Sequence, residues 1–200
     1  MQEILRYRYE KEEIPWFVKE ILISKKCSIF LKTYIEEHKE DTVLYYDRDN
    51  WYPIIDKVNI KVEHALKVLA EISNGIIQAE GYFIPPWFYK LGPQNVYINS
   101  DSDEVKCVFV PNSNIRDTSD ERMASSESSI YYSVKDIGIF LIERSDNFGK
   151  KYIEKAMELL KLRPYGIEAA INSIYKLCRE IKPGEYDSDV SRKVEAFFDD

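Results

Sequence analysis

Glycine is scarce in this chain of 200 residues, which contains only seven, and none occurs before Gly75. No two glycines have the GxG spacing. A loop that wraps a phosphate needs glycine, because the backbone must approach the ligand closely and often takes a positive φ. The sequence therefore excludes a Walker A loop, a Rossmann fingerprint and the glycine-rich loop of a protein kinase.

Histidine and cysteine are also few, with two histidines (His38 and His64) and three cysteines (Cys27, Cys107 and Cys178). The cysteines lie far apart among apolar neighbours, and neither residue type shows the spacing of a zinc site. This pattern is typical of reduced, buried thiols in a cytosolic protein. We expect neither a metal nor a cofactor.

Basic charge is in deficit, with 28 Lys and Arg against 35 Asp and Glu, a net charge of −7. Nucleic acids and anionic membranes need a basic face, so neither is expected as the main partner. Long apolar runs are absent, and the amino-terminal residues lack the apolar segment of a signal peptide. We expect a cytoplasmic protein without direct membrane insertion. Its partner is a protein whose contact face is neutral or basic, and a homodimer is left open.

The first sixty residues predict a small sheet with one helix. Residues 3–9, 27–35 and 42–46 are rich in strand formers, and a short helix begins at Pro15. A longer helix follows over residues 62–79, with apolar side chains on more than one face, so it is expected to be central and buried. Gly81 is predicted to end it as the residue after the last turn.

The rest of the chain predicts a hairpin, a polar loop and helices. Residues 95–98 and 105–110 form the hairpin, and residues 111–129 are rich in Ser, Asn, Asp and Thr. Three helices are predicted over residues 133–144, 150–161 and 165–179. The last stretch carries apolar side chains at helical spacing: Val190, Val194, Phe197 and Phe198.

These elements predict an α+β protein. We divide it into a sheet-bearing part over residues 1–60, a mostly helical part over residues 61–182, and an acidic tail or linker over residues 183–200.

Three segments resemble parts of a protein kinase. Residues 88–98 (FYKLGPQNVYI) resemble the catalytic loop HRDLKPxN and keep its leucine, proline and asparagine. Residues 105–111 (VKCVFVP) resemble the strand that leads into the DFG motif, and residues 133–143 (SVKDIGIFLIE) resemble the helix that opens with D-x-W-S-x-G. The resemblance covers roughly residues 62–179 and implies a reduced protein-kinase-like fold, with a small sheet-bearing N-lobe and a mostly helical C-lobe.

On this alignment the carboxylates of kinase chemistry are replaced. The catalytic-loop Asp is Lys90, the metal-binding Asp of DFG is Phe109, and the Asp that opens the later helix is Ser133. Asn95 is retained, but one neutral amide cannot hold Mg²⁺ alone. We expect that its amide bonds to the backbone instead. The resemblance therefore implies a pseudokinase with no catalytic, metal or cofactor residue.

Two bacterial groups are similar in this way. One is the kinase-like domain of the type VII secretion proteins EssB/YukC, and the other is the kinase-like domain that precedes FHA domains in bacterial signalling proteins. The resemblance implies a cytosolic scaffold for protein–protein interaction in signalling or secretion. Two alternatives stay open. One is an atypical nucleotide-binding phosphotransferase, which requires Asp47, Asp49, Asp101 and Asp103 to converge on a cleft. The other is an unrelated α+β interaction module.

An aromatic stretch, residues 82–89, supplies the candidate interaction residues. Trp and Tyr beside apolar neighbours dominate protein interfaces, so Trp87, Tyr82 and Tyr89 are candidates, whereas Phe83 and Phe88 are expected in the core.

Two further positions gain a role only from the resemblance. Thr118 is a candidate phosphosite, because an FHA pocket recognises a phosphothreonine together with the residue three positions later, which here is Glu121. Lys32 resembles the kinase VAIK lysine but is interpreted as a polar-face residue of a strand.

Overall fold

The structure, a computed structural model, describes residues 4–112, 129–162 and 166–181. Within them lie two three-stranded antiparallel sheets and five α-helices, so the predicted α+β class is confirmed. The strands are β1 (Ile4–Glu10), β2 (Thr33–Glu37), β3 (Asp41–Asp47), β4 (Trp51–Pro53), β5 (Val96–Asn99) and β6 (Val105–Cys107). The helices are α1 (Trp16–Ser24), α2 (Val62–Gly81), α3 (Ser129–Arg144), α4 (Asn147–Leu162) and α5 (Ile167–Glu180).

The first sheet has the strand order β1-β3-β2, with β3 in the middle. Side chains alternate along β1, so that Tyr7 and Tyr9 are half-buried whereas Arg6 and Arg8 are exposed. Helix α1 begins directly after Pro15, which has an extended backbone and lacks only an N–H that a helix start would leave unpaired. These elements agree with the predictions for residues 3–9, 42–46 and the first helix.

The predicted strand over residues 27–35 is wrong for its first half, because only residues 33–37 form a strand. Residues 29–31 instead lie beside β6. The N–H of Leu31 donates to the carbonyl oxygen of Cys107 (2.9 Å), and the N–H of Cys107 donates to that of Ile29 (2.7 Å). The side chains of Ile29, Phe30 and Leu31 are all buried, without the alternation of a half-exposed strand. This segment ties the two sheets together.

The second sheet has the order β4-β5-β6, and its β5–β6 hairpin is the predicted one, although β6 ends at Cys107 rather than at residue 110. The side-chain oxygen of Asn99 accepts the backbone N–H groups of Asp101 (2.9 Å) and Ser102 (3.0 Å). Asn side chains favour turns because they can replace a backbone acceptor in this way.

Helix α2 passes through the centre of the helical part and packs against α3, α4, α5 and β6, as its apolar pattern predicts. Gly75 is required on its surface, since a Cβ there would lie 2.3 Å from Cδ1 of Ile29. The helix extends through Gly81, two residues further than predicted, so the prediction that Gly81 follows its end is wrong and Tyr82 takes that place. Buried side chains from both parts of the chain form one continuous core.

The beginning of α2 meets two other helix ends. The N–H of Ile60 donates to the carbonyl oxygen of Arg144 at the end of α3, and the Ser145 hydroxyl donates to the carbonyl oxygen of Ile60 (both 3.1 Å). The thiol of Cys178, in the last turn of α5, donates to the carbonyl oxygen of Glu63 (3.2 Å). Helix α5 therefore ends near the turn between α3 and α4.

Three predictions fall on residues outside those described: most of the polar loop, Thr118 within it, and the tail over residues 183–200. Among the helices of the described ranges, none has the length and apolar character needed to cross a bilayer.

Candidate functional site

The structure brings together the two segments that resemble the catalytic loop and the DFG strand. Tyr89 forms an antiparallel bridge with Pro111, and the N–H of Lys90 donates to the carbonyl oxygen of Val110 (2.8 Å). The Asn95 amide donates to the carbonyl oxygen of Lys90 (3.0 Å) and is buried. Asn95 therefore bonds to the backbone, as expected, and Lys90 is exposed beside it.

The residue that the kinase resemblance aligns with the metal-binding Asp, Phe109, is a core residue. Phe109 is 1% exposed and packs edge-on against Phe30, with ring centroids 5.5 Å apart. Tyr89 completes this buried ring cluster, 5.2 Å from Phe30 and 5.8 Å from Phe109. The Tyr46 hydroxyl donates to the carbonyl oxygen of Phe109 and fixes the backbone there.

This placement corrects one candidate interaction residue. Tyr89 was expected to contribute to an interaction surface, but its side chain is buried in the ring cluster. The bridge to Pro111 turns it inward, because it holds Tyr89 beside the strand that ends in Phe109.

The surroundings of the ring cluster are apolar and uncharged. Burial raises the pKa of the Tyr46 and Tyr89 hydroxyls and of the Cys107 thiol well above their ordinary values. These groups are therefore neutral at pH 7. In the part of the chain that the structure describes, no three His, Cys, Asp or Glu side chains come together as a metal site.

The four aspartates of the phosphotransferase alternative lie near two turns. Asn50 donates to the Asp101 carboxylate (2.9 Å), which brings the turn after β3 beside the hairpin turn. Asp47 pairs with Lys32 (3.5 Å), and Asp103 lies 3.7 Å from Nε2 of His64. The carboxylates of Asp47, Asp101 and Asp103 are thus engaged in separate local contacts.

Lys32 lies just before β2 with an exposed side chain, stacked 4.8 Å from the Tyr34 ring, in agreement with its interpretation as a polar-face residue. In a kinase, a strand lysine pairs with a glutamate on the helix that follows. In this chain β1 is the strand that precedes a helix, α1, so its basic residues are the ones to compare with that lysine. The exposed basic residues of β1 bond elsewhere: Arg8 pairs with Asp41 (3.4 Å), and Arg6 lies over the Tyr45 ring.

A different ion pair connects α1 to the first sheet, and sequence reasoning missed it. The ammonium of Lys19, a buried residue of α1, lies 2.5 Å from the Glu37 carboxylate of β2 and donates to the Thr42 hydroxyl (3.1 Å). Hydrogen bonding to Lys19 lowers the pKa of Glu37. The cation is on the helix and the anion on the strand, the reverse of the kinase arrangement. No local sequence signal distinguishes Lys19 from the exposed lysines.

Two exposed tryptophans and two half-buried phenylalanines that pack against the core form what we call the aromatic surface: Trp16, Trp87, Phe17 and Phe88. Trp16 is 76% exposed and packs edge-on against Phe17, with ring centroids 6.3 Å apart. Phe17 in turn lies 6.3 Å from Phe88, which joins the start of α1 to the 3₁₀ turn that carries Trp87. Trp87 is 37% exposed. Trp16 was not among the sequence candidates, although its place after Pro15 puts it at a helix start, where side chains are less covered.

Two further aromatic residues, Tyr82 and Phe83, follow α2, and Phe83 does not lie where it was expected. Tyr82 is half-buried and packs against the core. Phe83, expected in the core, is 80% exposed, so that prediction is wrong. Phe83 has a positive φ of 60° and follows the end of α2. Its N–H donates to the Glu80 carbonyl and that of Ile84 to the Ala79 carbonyl, the Schellman pattern, which directs Ile84 inward and Phe83 outward.

No protein-family profile matches this sequence, and no curated protein matches it. Among the solved structures that are similar to the chain is the crystal structure of the Staphylococcus aureus EssB cytoplasmic fragment. The sequences are 14% identical, the TM-score is 0.41, and the match covers 84% of this chain and 97% of that one.

Proposed function

We propose that this protein is a catalytically inactive, kinase-like domain that acts as a cytoplasmic protein–protein interaction scaffold in bacterial signalling or secretion. One observation carries the proposal. The segments that resemble the catalytic loop and the DFG strand lie side by side, with an exposed lysine and a buried phenylalanine at the two carboxylate positions.

Phosphoryl transfer needs a carboxylate to accept the substrate proton and another to hold Mg²⁺ on the phosphates. Lys90 carries no acceptor at its ammonium, and Phe109 lies among rings that leave the position dry and uncharged. The Asn95 amide is engaged by the backbone of Lys90. These contacts support a domain that cannot transfer a phosphoryl group, although the segments that resemble the catalytic loop and the DFG strand still lie side by side.

The aromatic surface supports a recognition role. Trp residues are enriched among the side chains that contribute most to protein binding, and exposing a Trp ring to water brings no benefit to the free protein. Trp16 and Trp87 come from elements far apart in the sequence, and the Phe17–Phe88 contact holds their elements together. With a net charge of −7, the chain favours a partner whose contact face is neutral or basic.

The inactive assignment is tested by thermal unfolding with ATP, with and without Mg²⁺ or Mn²⁺. A ligand that binds only the native state raises the melting temperature, so we expect no change at millimolar nucleotide. A metal-dependent rise would contradict the proposal and favour the atypical phosphotransferase, with the aspartates of the two turns as the first residues to replace.

The recognition role is tested by affinity capture from the native cytosol, followed by direct binding with each purified partner. The double variant Trp16→Ala, Trp87→Ala is expected to weaken binding by tenfold or more, since interface Trp truncation costs about 2 kcal/mol or more. Tyr132→Ala is the matched control, because Tyr132 is an exposed ring on α3, with an exposure of 66% that lies between those of Trp87 and Trp16. Loss of binding in the control and retention in the double variant would place the interface elsewhere.

A further inference from the structure

An apolar groove runs between α3 and α4, and its lining shares no residue with the aromatic surface. Its volume is about 250 Å³, and its floor is formed by Ile139, Ile142 and Met157. The two helices approach closely where they cross, because α3 has a glycine there: a Cβ on Gly138 would lie 2.5 Å from the sulfur of Met157. Ile139 is 45% exposed beside this crossing. A large aliphatic side chain is therefore left in water on the outer face of the helix pair.

Four charged side chains border the groove, and their positive and negative charges balance. All four are exposed: Lys135, Glu154, Glu158 and Lys161. In the part of the chain that the structure describes, no salt bridge joins the two lysines to the two glutamates. The chain as a whole has a net charge of −7, which opposes contact between two copies. The groove is therefore a neutral face on which such a contact brings no net repulsion.

The charges are also ordered along the groove. At a rise of about 1.5 Å per residue, Lys135 lies about 4.5 Å and Lys161 about 6 Å from the crossing, on the side away from the α3–α4 turn. The Lys161 ammonium lies 5.9 Å from the Tyr131 ring near the start of α3, in agreement with that position. Glu154 lies about 4.5 Å from the crossing on the other side, toward the turn, and Glu158 lies about 1.5 Å from it on the lysine side. One end of the groove is therefore basic and the other acidic, with the second glutamate in the middle.

A second copy of the groove has the complementary order once it is turned end to end. We propose that two copies of this chain associate through their α3–α4 grooves about a two-fold axis perpendicular to both helices, so that each helix lies antiparallel to its own copy. With the axis within about 1 Å of the crossing, Glu154 of one copy lies level with Lys161 of the partner copy along the helices. Lys135 of the partner copy lies about 1.5 Å from that level. Each acidic end therefore meets a basic end, twice in the dimer.

The same arrangement covers the apolar floor. The two Ile139 side chains lie about 4.5 Å apart along the helices, on either side of the axis, so each removes the other from water. Each Glu158 lies level with Met157 of the partner copy. The two Glu158 carboxylates come near each other at the axis, and Lys135 of the partner copy, within about one helical turn of each, offsets their like charge. Burial of the aliphatic side chains supplies the attraction, and the charges fix the orientation.

An axis parallel to the helices gives a poorer match. It keeps every side chain at its level and places α3 of one copy over α4 of the other. Lys135 would then lie within about 1.5 Å in level of Lys161 of the partner copy, and about 3 Å from Glu158. Glu154 would face the isoleucines of α3 without a cation. The order of the charges therefore selects the perpendicular axis.

Sedimentation equilibrium of the full chain tests the association. We expect a dimer with a dissociation constant of about 100 µM or tighter, and a loss of at least about tenfold in affinity for Ile139→Asp, which brings two acids together at the axis. Ile23→Asp is the matched control, because Ile23 is 49% exposed on α1, outside the groove. Circular dichroism establishes that both variants fold. A wild-type chain that stays monomeric at about 500 µM, or an equal loss in both variants, would overturn the proposal.

Charge reversal tests the direction of the axis. Glu154→Lys and Lys161→Glu are each expected to weaken the dimer about fivefold or more, and the two together in one chain are expected to restore it. The two positions lie seven residues apart on α4, too far for a contact within one helix, so restoration requires a second copy. Failure of the restoration would contradict the perpendicular axis. A dimer that Trp16→Ala with Trp87→Ala dissociates and Ile139→Asp leaves intact would place the contact on the aromatic surface and overturn the proposal.

Discussion

The buried ring cluster and the aromatic surface are built from the same kinds of side chain but have opposite exposure. Phe30, Tyr89 and Phe109 are buried, whereas Trp16 and Trp87 face water. Trp87 and Tyr89 are only two residues apart, and the backbone separates them: Trp87 lies in a 3₁₀ turn, and Tyr89 bridges to Pro111. The difference shows that one aromatic stretch can place one ring in the core and another at the surface, depending on whether its residue takes part in strand pairing.

The two groups should therefore respond differently to substitution. A core ring contributes to the free energy of unfolding, because its removal leaves a cavity. An exposed ring contributes mainly to binding. Substitutions that alter each group separately test whether the kinase-like positions have become part of the core.

The largest effect is expected from placing at Phe109 the carboxylate that the proposed kinase resemblance would put there. Phe109→Asp removes a fully buried ring and places an acid among apolar side chains, so it should lower the free energy of unfolding by about 4 kcal/mol or more. Phe109→Leu, the apolar control, should cost about 1 kcal/mol. Urea denaturation gives both values. A Phe109→Asp variant as stable as the control would show that the position is open to solvent, as in an active kinase.

The hydroxyl of Tyr46 provides a smaller and more specific test. Tyr46→Phe leaves the buried Phe109 carbonyl without its donor and should cost about 1–2 kcal/mol. Tyr152→Phe is the matched control, since its buried hydroxyl has no hydrogen-bond partner in the described part of the chain. Its loss should change stability by less than about 0.5 kcal/mol. Equal costs in urea denaturation would mean that the Tyr46 bond does not fix the DFG-like backbone.

Much of the fold follows from local pattern. The alternation in residues 4–10 and the many-sided apolar pattern of residues 62–81 each predict one element, and the structure contains both. The juxtaposition of Lys90 and Phe109 could be anticipated only through the kinase resemblance, because strands distant in sequence create it. Residues 29–31 were wrongly predicted to belong to the strand of β2. Their backbone groups bond to β6 instead, 76 residues later in the case of Leu31 and Cys107, and no local pattern reveals this.

The candidate site was less predictable for the same reason. Trp16 joins Phe88 through Phe17, a contact across about seventy residues that no local signal reveals. Phe83 was assigned to the core from its residue type, but the positive φ at the end of α2 turns it outward. Lys19 can be buried because Glu37 of β2 and Thr42 of β3 accept hydrogen bonds from its ammonium. The exposure of these side chains therefore depends on contacts between residues distant in sequence and on the positive φ at Phe83, and not on residue type.

The Lys19–Glu37 pair holds α1, and with it Trp16, against the first sheet, so its titration affects the aromatic surface. The native pKa of Glu37 lies below its ordinary value of 4.5 because Lys19 bonds to the charged form. This contribution to stability is complete above the unfolded pKa and is lost as the pH falls through the lower native pKa. Glu37→Gln should therefore flatten the decline of stability below about pH 4.5. Urea denaturation from pH 3 to 6 measures the free energy of unfolding at each pH. In a Lys19→Met background, Glu37→Gln should have no further effect on it. An unchanged pH profile in Glu37→Gln would contradict the pairing.

The smallest expected effect is a gain in stability at Phe83. A non-glycine residue in the left-handed region is strained, and glycine usually occupies this position after a helix. Phe83→Gly should therefore raise the free energy of unfolding by about 0.5–1 kcal/mol, since the exposed ring contributes little packing. Phe83→Ala separates the two causes, because it removes the ring and keeps the strain, and it should leave stability nearly unchanged. A loss of stability in both variants would mean that the ring packs, and Phe83 would then belong with the core residues. A gain with glycine alone, accompanied by weaker partner binding in both variants, would show that an exposed phenylalanine is kept at a strained position for recognition.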